Sequence, residues 1–329
     1  KDAYPVNIAR RPTIFENIKA ISAMYKIFKE QQFDCFVSMS SNASIIASIA
    51  GFLAKVPHRI RIFTGQIWAN MHGWKRCFFK MIDKTTVALN TELLADGKPQ
   101  LQYLVKNGIL KEGQATVLAN GSICGVDIEK FKPASNIRDM ERRKINVSEE
   151  VVVFSFMGRV NRDKGTFELL EAANRLFAEV NDAALVLIGN MEGLMIDVLN
   201  HYPNLQVGKN VILYGFTKEP YHALQLADVF CLPSYREGFG MSAIEAASLA
   251  LPVICSDVYG LQDSFVPNHT GLQCKVADAS TLYHCMRELY FDKTLRTTYG
   301  SNGRNRVVEK FNKELVSTAW LKYMHDLLA

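Results

Sequence analysis

Several spacings that carry metal chemistry are missing from these 329 residues. The seven cysteines form no Cys-x-x-Cys pair, the seven histidines no His-x-x-x-His pair, and Asp-x-Asp does not occur. A dedicated protein metal site is therefore not expected, whether zinc on Cys and His or a divalent ion on paired carboxylates. Scattered cysteines in odd number argue against a disulfide framework and for a reducing cytoplasm. Cys231 and Cys255 lie in apolar runs and read as small core residues. The longest apolar run, Ile45 to Ala54, falls well short of the ~20 residues that cross a bilayer. No Gly-x-x-x-x-Gly-Lys-Ser/Thr loop supports P-loop nucleotide hydrolysis. Repeats and low-complexity tracts are also lacking. The sequence opens on Lys1 rather than Met, so a trimmed N-terminus is expected.

What is present is an ordinary soluble composition, 48% hydrophobic and 22% charged. Its length suggests two domains. The net charge of +5 is unevenly placed. Residues 1–120 hold 16 Lys/Arg against 8 Asp/Glu, and residues 121–329 hold 22 against 25. A basic first half suits nucleic acid, anionic lipid or a phosphorylated acceptor, and equally a solvated surface.

Helical and short apolar segments alternate, the mark of parallel sheets buried on both faces. The first half reads as helix Thr13–Gln31, strand Phe33–Ser38, helix Asn42–Lys55 and strand Arg59–Phe63. Helix Trp74–Ile82, strand Thr85–Leu89, helix Leu93–Lys106 and strand Ala115–Leu118 follow. Residues 119–149, with Asn120-Gly121, Pro133 and the charged run Arg138–Lys144, read as a linker. The second half reads as strand Val151–Met157, helix Thr166–Val180, strand Ala184–Ile188, helix Leu194–His201 and strand Val211–Tyr214. Then come helix Tyr221–Ala227, strand Val229–Leu232, helix Met241–Leu249 and strands Val253–Cys255 and Leu272–Cys274. Helices Ser280–Phe291, Leu295–Lys310 and Lys313–Leu328 close the chain. The fold class is α/β, two doubly wound Rossmann-like domains facing a cleft.

Two segments carry chemistry. In DVFCLPSYREGFGMSAIEAASLALPVICSD, residues 228–257, Glu237 precedes a helix and Glu245 lies about a turn inside it. Gly238-Phe239-Gly240 lies between them and lets a ligand approach the backbone. Helix N-termini suit phosphate, and ionised carboxylates accept from hydroxyls, so a sugar nucleotide is indicated. In FMGRVNRDKGTFELLEAA, Arg159 and Lys164 follow a strand and precede a helix, where open α/β sheets bind ligands. Alone, these two cations read equally as solvated loop charges; with the carboxylate segment they form a shared site. Gly238 to Ala243 also fits G-x-G-x-x-A, with Asp257 where a ribose-binding acid belongs in a dinucleotide fold. Against that reading, Ser234 to Glu237 separate strand from glycine, and Glu237 would repel a pyrophosphate.

Gly158-Arg159 with Lys164-Gly165, PSYREGFG with Glu237 and Glu245, and NGSICGVDIEKFKP (Asn120 to Pro133) resemble the retaining glycosyltransferases of family 4. Within them the resemblance is to capsular and O-antigen polysaccharide enzymes of the CapM type. It covers nearly the whole chain and is strongest over 150–275. The resemblance implies a GT-B fold, with residues 1–145 as the acceptor-side domain (linker from about 119), 146–312 as the donor domain, and 313–329 as a helix crossing back. It implies that Arg159 and Lys164 take the diphosphate, Glu237 the sugar hydroxyls and Glu245 the ribose. Backbone N–H groups at Phe239, Gly240 and Met241 would hold phosphate or sugar beside Gly158 and Gly238, and Phe216 in Tyr214-Gly215-Phe216 would meet the base. No cofactor is implied: the donor, expected to be UDP-linked, is a substrate, and metal is not required. The implied partners are a nucleotide sugar and a glycan or lipid-linked acceptor, without nucleic acid. The implied place is the cytoplasm; the basic and aromatic stretch Trp74 to Lys80 suggests a peripheral seat on the inner membrane face, and equally a solvated or core-facing helix. Family members begin with a strand and Gly-rich loop that this sequence is expected to lack, which leaves the acceptor-side residues open. Some relatives place a first-domain His against the donor sugar; His58 and His72 are the weak candidates for it, and a lone His is more often structural. A GT-B epimerase or phosphorylase, or a non-catalytic sugar-nucleotide binder, remains open.

Overall fold

The computed structural model describes residues 3–8, 13–192 and 198–329. The chain forms two compact units, Lys1–Gly121 and Ser122–Ala329.

The first unit contains α1 (Ile14–Gln31), β1 (Cys35–Ser38), α2 (Ser41–Ala54), β2 (His58–Phe63), α3 (Gly73–Leu89), β3 (Glu92–Ala95) and α4 (Lys98–Lys106). α1 starts on a capping box: the Thr13 side chain accepts from Glu16 N while the Glu16 carboxylate accepts from Thr13 N. The strands form one parallel sheet in the order β1-β2-β3, packed by Phe63, Trp68, Leu93 and Leu104.

Three expectations fail in this unit. Thr85–Leu89 is not a strand but the end of α3. Its β-branched run suggested extension, yet the Thr85 and Thr86 hydroxyls donate to the carbonyls of Met81 and Ile82 one turn back. Leu93 does not start a helix, because Leu93–Ala95 belongs to β3, in register with Arg61–Phe63. The helix begins only at Lys98, with Pro99 in its first turn. Ala115–Leu118 forms only a bridge at Thr116 to Leu94.

The second unit contains α5 (Ser135–Lys144), β4 (Val152–Met157), α6 (Thr166–Phe177), β5 (Ala183–Ile188), β6 (Val211–Gly215), α7 (Pro220–Ala223), β7 (Val229–Leu232), α8 (Met241–Ser248), β8 (Val253–Ser256), β9 (Gly271–Cys274), α9 (Ala279–Phe291), α10 (Lys293–Lys310) and α11 (Lys313–Leu328). Of the expected helix Leu194–His201, residues 194–197 lie outside those described. All six strands are parallel, in the order β6-β5-β4-β7-β8-β9. Every residue of β5, β7 and β8 is buried, which accounts for their unbroken apolar sequences. Fully burying Phe154, Phe156 and Phe230 stabilises the unit by about 2 kcal/mol each.

The charged run read as linker is α5, anchored by its own charges. Arg138 and Arg142 each donate to Asp228, at 2.7 and 2.6 Å, and Val153 N donates to the same carboxylate at 2.7 Å. Sequence hydropathy misses this helix because its buried face includes Glu141 and Arg142 rather than apolar residues. Cys231 and Cys255 are core residues, and burial pushes both thiols up.

Candidate active site

The strand order places the site. From β4 the chain builds outward through β5 and β6, then returns to β7 and builds the other way through β8 and β9. β4 and β7 are therefore neighbours from which the chain builds in opposite directions, which is where open parallel sheets leave a ligand crevice at their carboxyl ends. Gly158 to Gly165 follow β4, and Pro233 to Gly240 follow β7.

These loops are laced together by close approach and hydrogen bonds. Gly165 has φ +69°, and a Cβ there would lie 1.9 Å from the Pro233 carbonyl oxygen. Tyr235 N donates to Asp163 O at 2.9 Å, the Arg236 guanidinium to the Asp163 carboxylate at 3.2 Å, and the Tyr235 hydroxyl to Glu168 at 2.6 Å. With the backbones thus joined, Lys164 Nζ reaches Glu237 Oε1 at 2.5 Å. The Ser234 hydroxyl donates to the same oxygen at 2.7 Å. Glu237 Oε2 has no hydrogen-bond partner among the described residues.

Arg159 stands in the same loop but pairs with Glu192, just beyond β5, at 3.5 Å, and its side chain is 46% exposed. Asn161 holds that acid at 2.8 Å through Nδ2 and accepts from Lys164 N through Oδ1. The structure thus joins Lys164 to Glu237 and gives Arg159 a different partner. Gly158 caps the carboxyl end of β4, its N–H donating to Ile188 O at 2.9 Å. Phe216 follows β6 and is 68% exposed.

Gly238 and Gly240 bracket Phe239, whose ring turns inward to meet Phe311 edge-on at 5.3 Å. Gly240, φ +77°, caps α8, and a Cβ there would strike Leu261 at 2.3 Å. Met241 opens α8, and its sulfur accepts from the Ser122 hydroxyl at 3.1 Å. One turn in, Glu245 is half-buried with no hydrogen-bond partner among the described residues, and burial pushes its carboxyl up to about 7. The two carboxylates of one segment therefore sit differently: Glu237 is paired with a lysine, whereas burial disfavours the charged form of Glu245.

Other candidates fall elsewhere. His58 opens β2 at the amino end of its sheet, opposite the ligand-binding edge. His72 precedes α3 in solvent. Asp257 is engaged as an acceptor for Val276 N at 2.8 Å. Ser234, Asn161 and Glu192 were missed by sequence reasoning. Ser234 lay within the PSYREGFG segment and could have been found; Glu192 has no signal nearby, since only the β4–β5 pairing brings it close.

This second unit matches a known family. The profile described as Glycosyl transferases group 1 aligns with residues 137–306, more than half of the chain, and spans both site loops. The chain belongs to that family. As a glycosyltransferase it is 28% identical over 314 residues to the capsular polysaccharide biosynthesis glycosyltransferase CapM of Staphylococcus aureus, covering 95% of this chain and 82% of CapM. It is 26% identical over 309 residues to an Escherichia coli UDP-Gal:alpha-D-GlcNAc-diphosphoundecaprenol alpha-1,3-galactosyltransferase, covering 93% of this chain and 78% of that enzyme. Among solved structures, a sucrose-phosphate synthase from Thermosynechococcus elongatus superposes with TM-score 0.82 at 22% identity, covering 98% of this chain and 80% of that one. Anabaena HepE in complex with UDP gives TM-score 0.78 at 15% identity, over 93% of this chain and 82% of that one. These likenesses show the fold, GT-B with two Rossmann-like units.

Proposed function

We propose that this glycosyltransferase is retaining, takes its sugar from a UDP-linked donor, and passes it to a lipid-linked or polysaccharide acceptor in bacterial surface polysaccharide synthesis. The relatives support the substrate classes: one is named for UDP-galactose and a diphosphoundecaprenol acceptor, another for capsular polysaccharide. The observation that carries the reading is the Lys164–Glu237 contact at the loops after β4 and β7.

The chemistry follows from that contact. As the sugar leaves, negative charge grows on the departing diphosphate and positive charge on the anomeric carbon. Lys164, with Arg159, would stabilise the first, supported by N–H groups of Phe239, Gly240 and Met241 at the start of α8. Glu237, steered by Ser234 and Lys164, would accept from sugar hydroxyls through its second oxygen. Glu245 would accept from the ribose. No metal is required in this account, because cationic side chains take the diphosphate. A lipid-linked acceptor would seat the enzyme on the inner face of the membrane, which the basic first unit suits.

The test is a thermal-shift panel of UDP-, GDP- and ADP-sugars followed by a transfer assay, since a bound ligand raises apparent stability by mass action. A shift specific to UDP-sugars, and product with unchanged anomeric configuration, are expected. Free 2-epimer without acceptor, or a phosphate requirement, would overturn the reading in favour of an epimerase or phosphorylase.

A further inference from the structure

The sheet of the second unit has a polar hollow at its other end. Lys164 and Glu237 stand beyond the carboxyl ends of β4 and β7. At the amino ends of β4, β5 and β6 the chain frames a cavity of about 270 Å³. Val151 lines it just before β4, Ala183 and Ala184 line it from the start of β5, and Asn210 lines it just before β6. β5 is 6 residues long, so roughly 20 Å of strand separates this hollow from the loops at the carboxyl ends. The volume is that of about nine waters at ~30 Å³ each, which is room for one sugar ring.

The lining is sorted by chemistry. Val147 and Phe177, both buried, give it an apolar floor with Val151. Asn146, Asn181, Asn204 and Gln206 bring amides to its rim, and Lys209 is the one charged side chain there. None of the described lining residues is acidic. One wall is fixed by its own hydrogen bonds. Asn204 N donates to Asn174 Oδ1 at 3.0 Å, and Asn204 Nδ2 to Asn174 O at 3.1 Å. Asn210 Nδ2 donates to Asn204 O at 2.9 Å, and Gln206 N to Asn210 Oδ1 at 2.7 Å. The loop before β6 is thus held in one shape.

Other polar groups of the hollow are left over. Asn204 Oδ1 and the side-chain amides of Asn146, Asn181 and Gln206 make no hydrogen bond among the described residues. Asn146 follows α5 with φ +55°, a left-handed turn that asparagine tolerates at a helix end. That turn accounts for its backbone and leaves its amide unused.

The combination selects a ligand. A sugar hydroxyl both donates and accepts, and each amide answers both ways. A cation would find no carboxylate here, and an anion would find only Lys209 among amides. The apolar floor suits the C–H face of a pyranose ring.

We propose that this hollow is a second, non-catalytic carbohydrate site, which takes one uncharged sugar residue of a glycan. The ring lies against Val147, Val151 and Phe177, and its hydroxyls pair with Asn146, Asn181, Asn204 and Gln206. Because it sits at the far end of the sheet from Lys164 and Glu237, it holds glycan rather than donor. The inference goes beyond the proposed function and stands on the cavity itself.

The experiment uses the full chain and saturation-transfer NMR with the methyl glycosides of glucose, galactose, mannose and N-acetylglucosamine, each with saturating UDP present. At least one glycoside should bind, with Kd on the order of 1 mM. The triple variant Asn146→Gly, Asn181→Ala, Gln206→Ala removes unengaged amides and none of the bonds described above. It should bind that glycoside about tenfold more weakly or worse, with melting temperature and UDP affinity unchanged. Asn146→Gly alone keeps the left-handed turn and should still weaken binding several-fold, which keeps the test open if the triple variant folds poorly. Absence of binding by the parent at about 10 mM would overturn the proposal. So would equal binding by parent and both variants, since the sugar would then sit elsewhere. Inorganic phosphate that binds the parent in place of the glycosides and is lost in Lys209→Ala would make the hollow an anion site and overturn it too. Glycoside binding without any response to UDP-sugars would defeat the functional reading and leave this site; the opposite result would do the reverse.

Discussion

Lys164 and Glu237 lie 73 residues apart in the chain, and their side chains meet at 2.5 Å. The contact exists because β4 and β7 are neighbours in the sheet and Gly165 lets the loop after one press on the loop after the other. It sets a lysine and a carboxylate side by side where a phosphorylated sugar would need both.

Lys164→Ala should lower kcat on the order of 100-fold, with a smaller change in UDP affinity, because the charge it meets grows in the transition state. Arg159→Ala should act in the same direction. Steady-state transfer assays on both variants check this; unchanged turnover would remove the two cations from the leaving-group role.

Glu237→Gln should weaken discrimination among donor sugars while leaving UDP binding nearly intact. The amide keeps the shape but can no longer pair ionically with Lys164. Calorimetry with UDP and with UDP-sugars separates the two effects, and equal losses for both ligands would contradict the assigned role.

Glu245 predicts a pH dependence of known sign. Its carboxyl is raised to about 7 by burial, whereas in the unfolded chain it titrates near its ordinary value. The native protein therefore holds a proton that the unfolded chain has released, so this contribution to stability is full below about pH 4.5 and is lost as pH rises through about 7. Glu245→Gln should raise stability at pH 8 by on the order of 2 kcal/mol relative to the parent, and by little at pH 4. Donor affinity should move the opposite way, tightening from pH 6 to 8 in the parent as the carboxylate forms, and staying flat in the variant. Denaturant titrations and calorimetry at each pH measure both.

Gly165→Ala should destabilise the second unit by on the order of 3 kcal/mol, since it adds a left-handed alanine to a clash with backbone rather than with a movable side chain. Urea unfolding reads the loss. An alanine variant of full stability would mean that the two loops are not held by this approach.

Much of the site was legible because its residues fall in two short segments. Glu237 and Glu245 are eight positions apart, and Arg159 and Lys164 five, so local strand-to-helix patterns put each pair at the junctions after β4 and β7, where the structure has them. The second unit was also legible in outline, since fully buried parallel strands announce themselves as apolar runs. The first unit was harder. Thr85-Thr86-Val87 has the composition of a strand, yet Asp83 in the preceding turn binds Trp68 and keeps the segment helical. Glu92–Ala95 has the composition of a helix start, yet it completes a sheet beside β2. In both places a contact distant in sequence outweighed local propensity.

Composition and spacing were enough to read an α/β chain and to put the candidate site residues on strand-to-helix junctions, because those junctions and the residues on them are local properties. They could not establish strand order, the partner of Arg159 or the burial of Glu245. Those depend on neighbours far along the chain, whose packing and hydrogen bonds decide which side chains are desolvated, neutralised or turned to solvent.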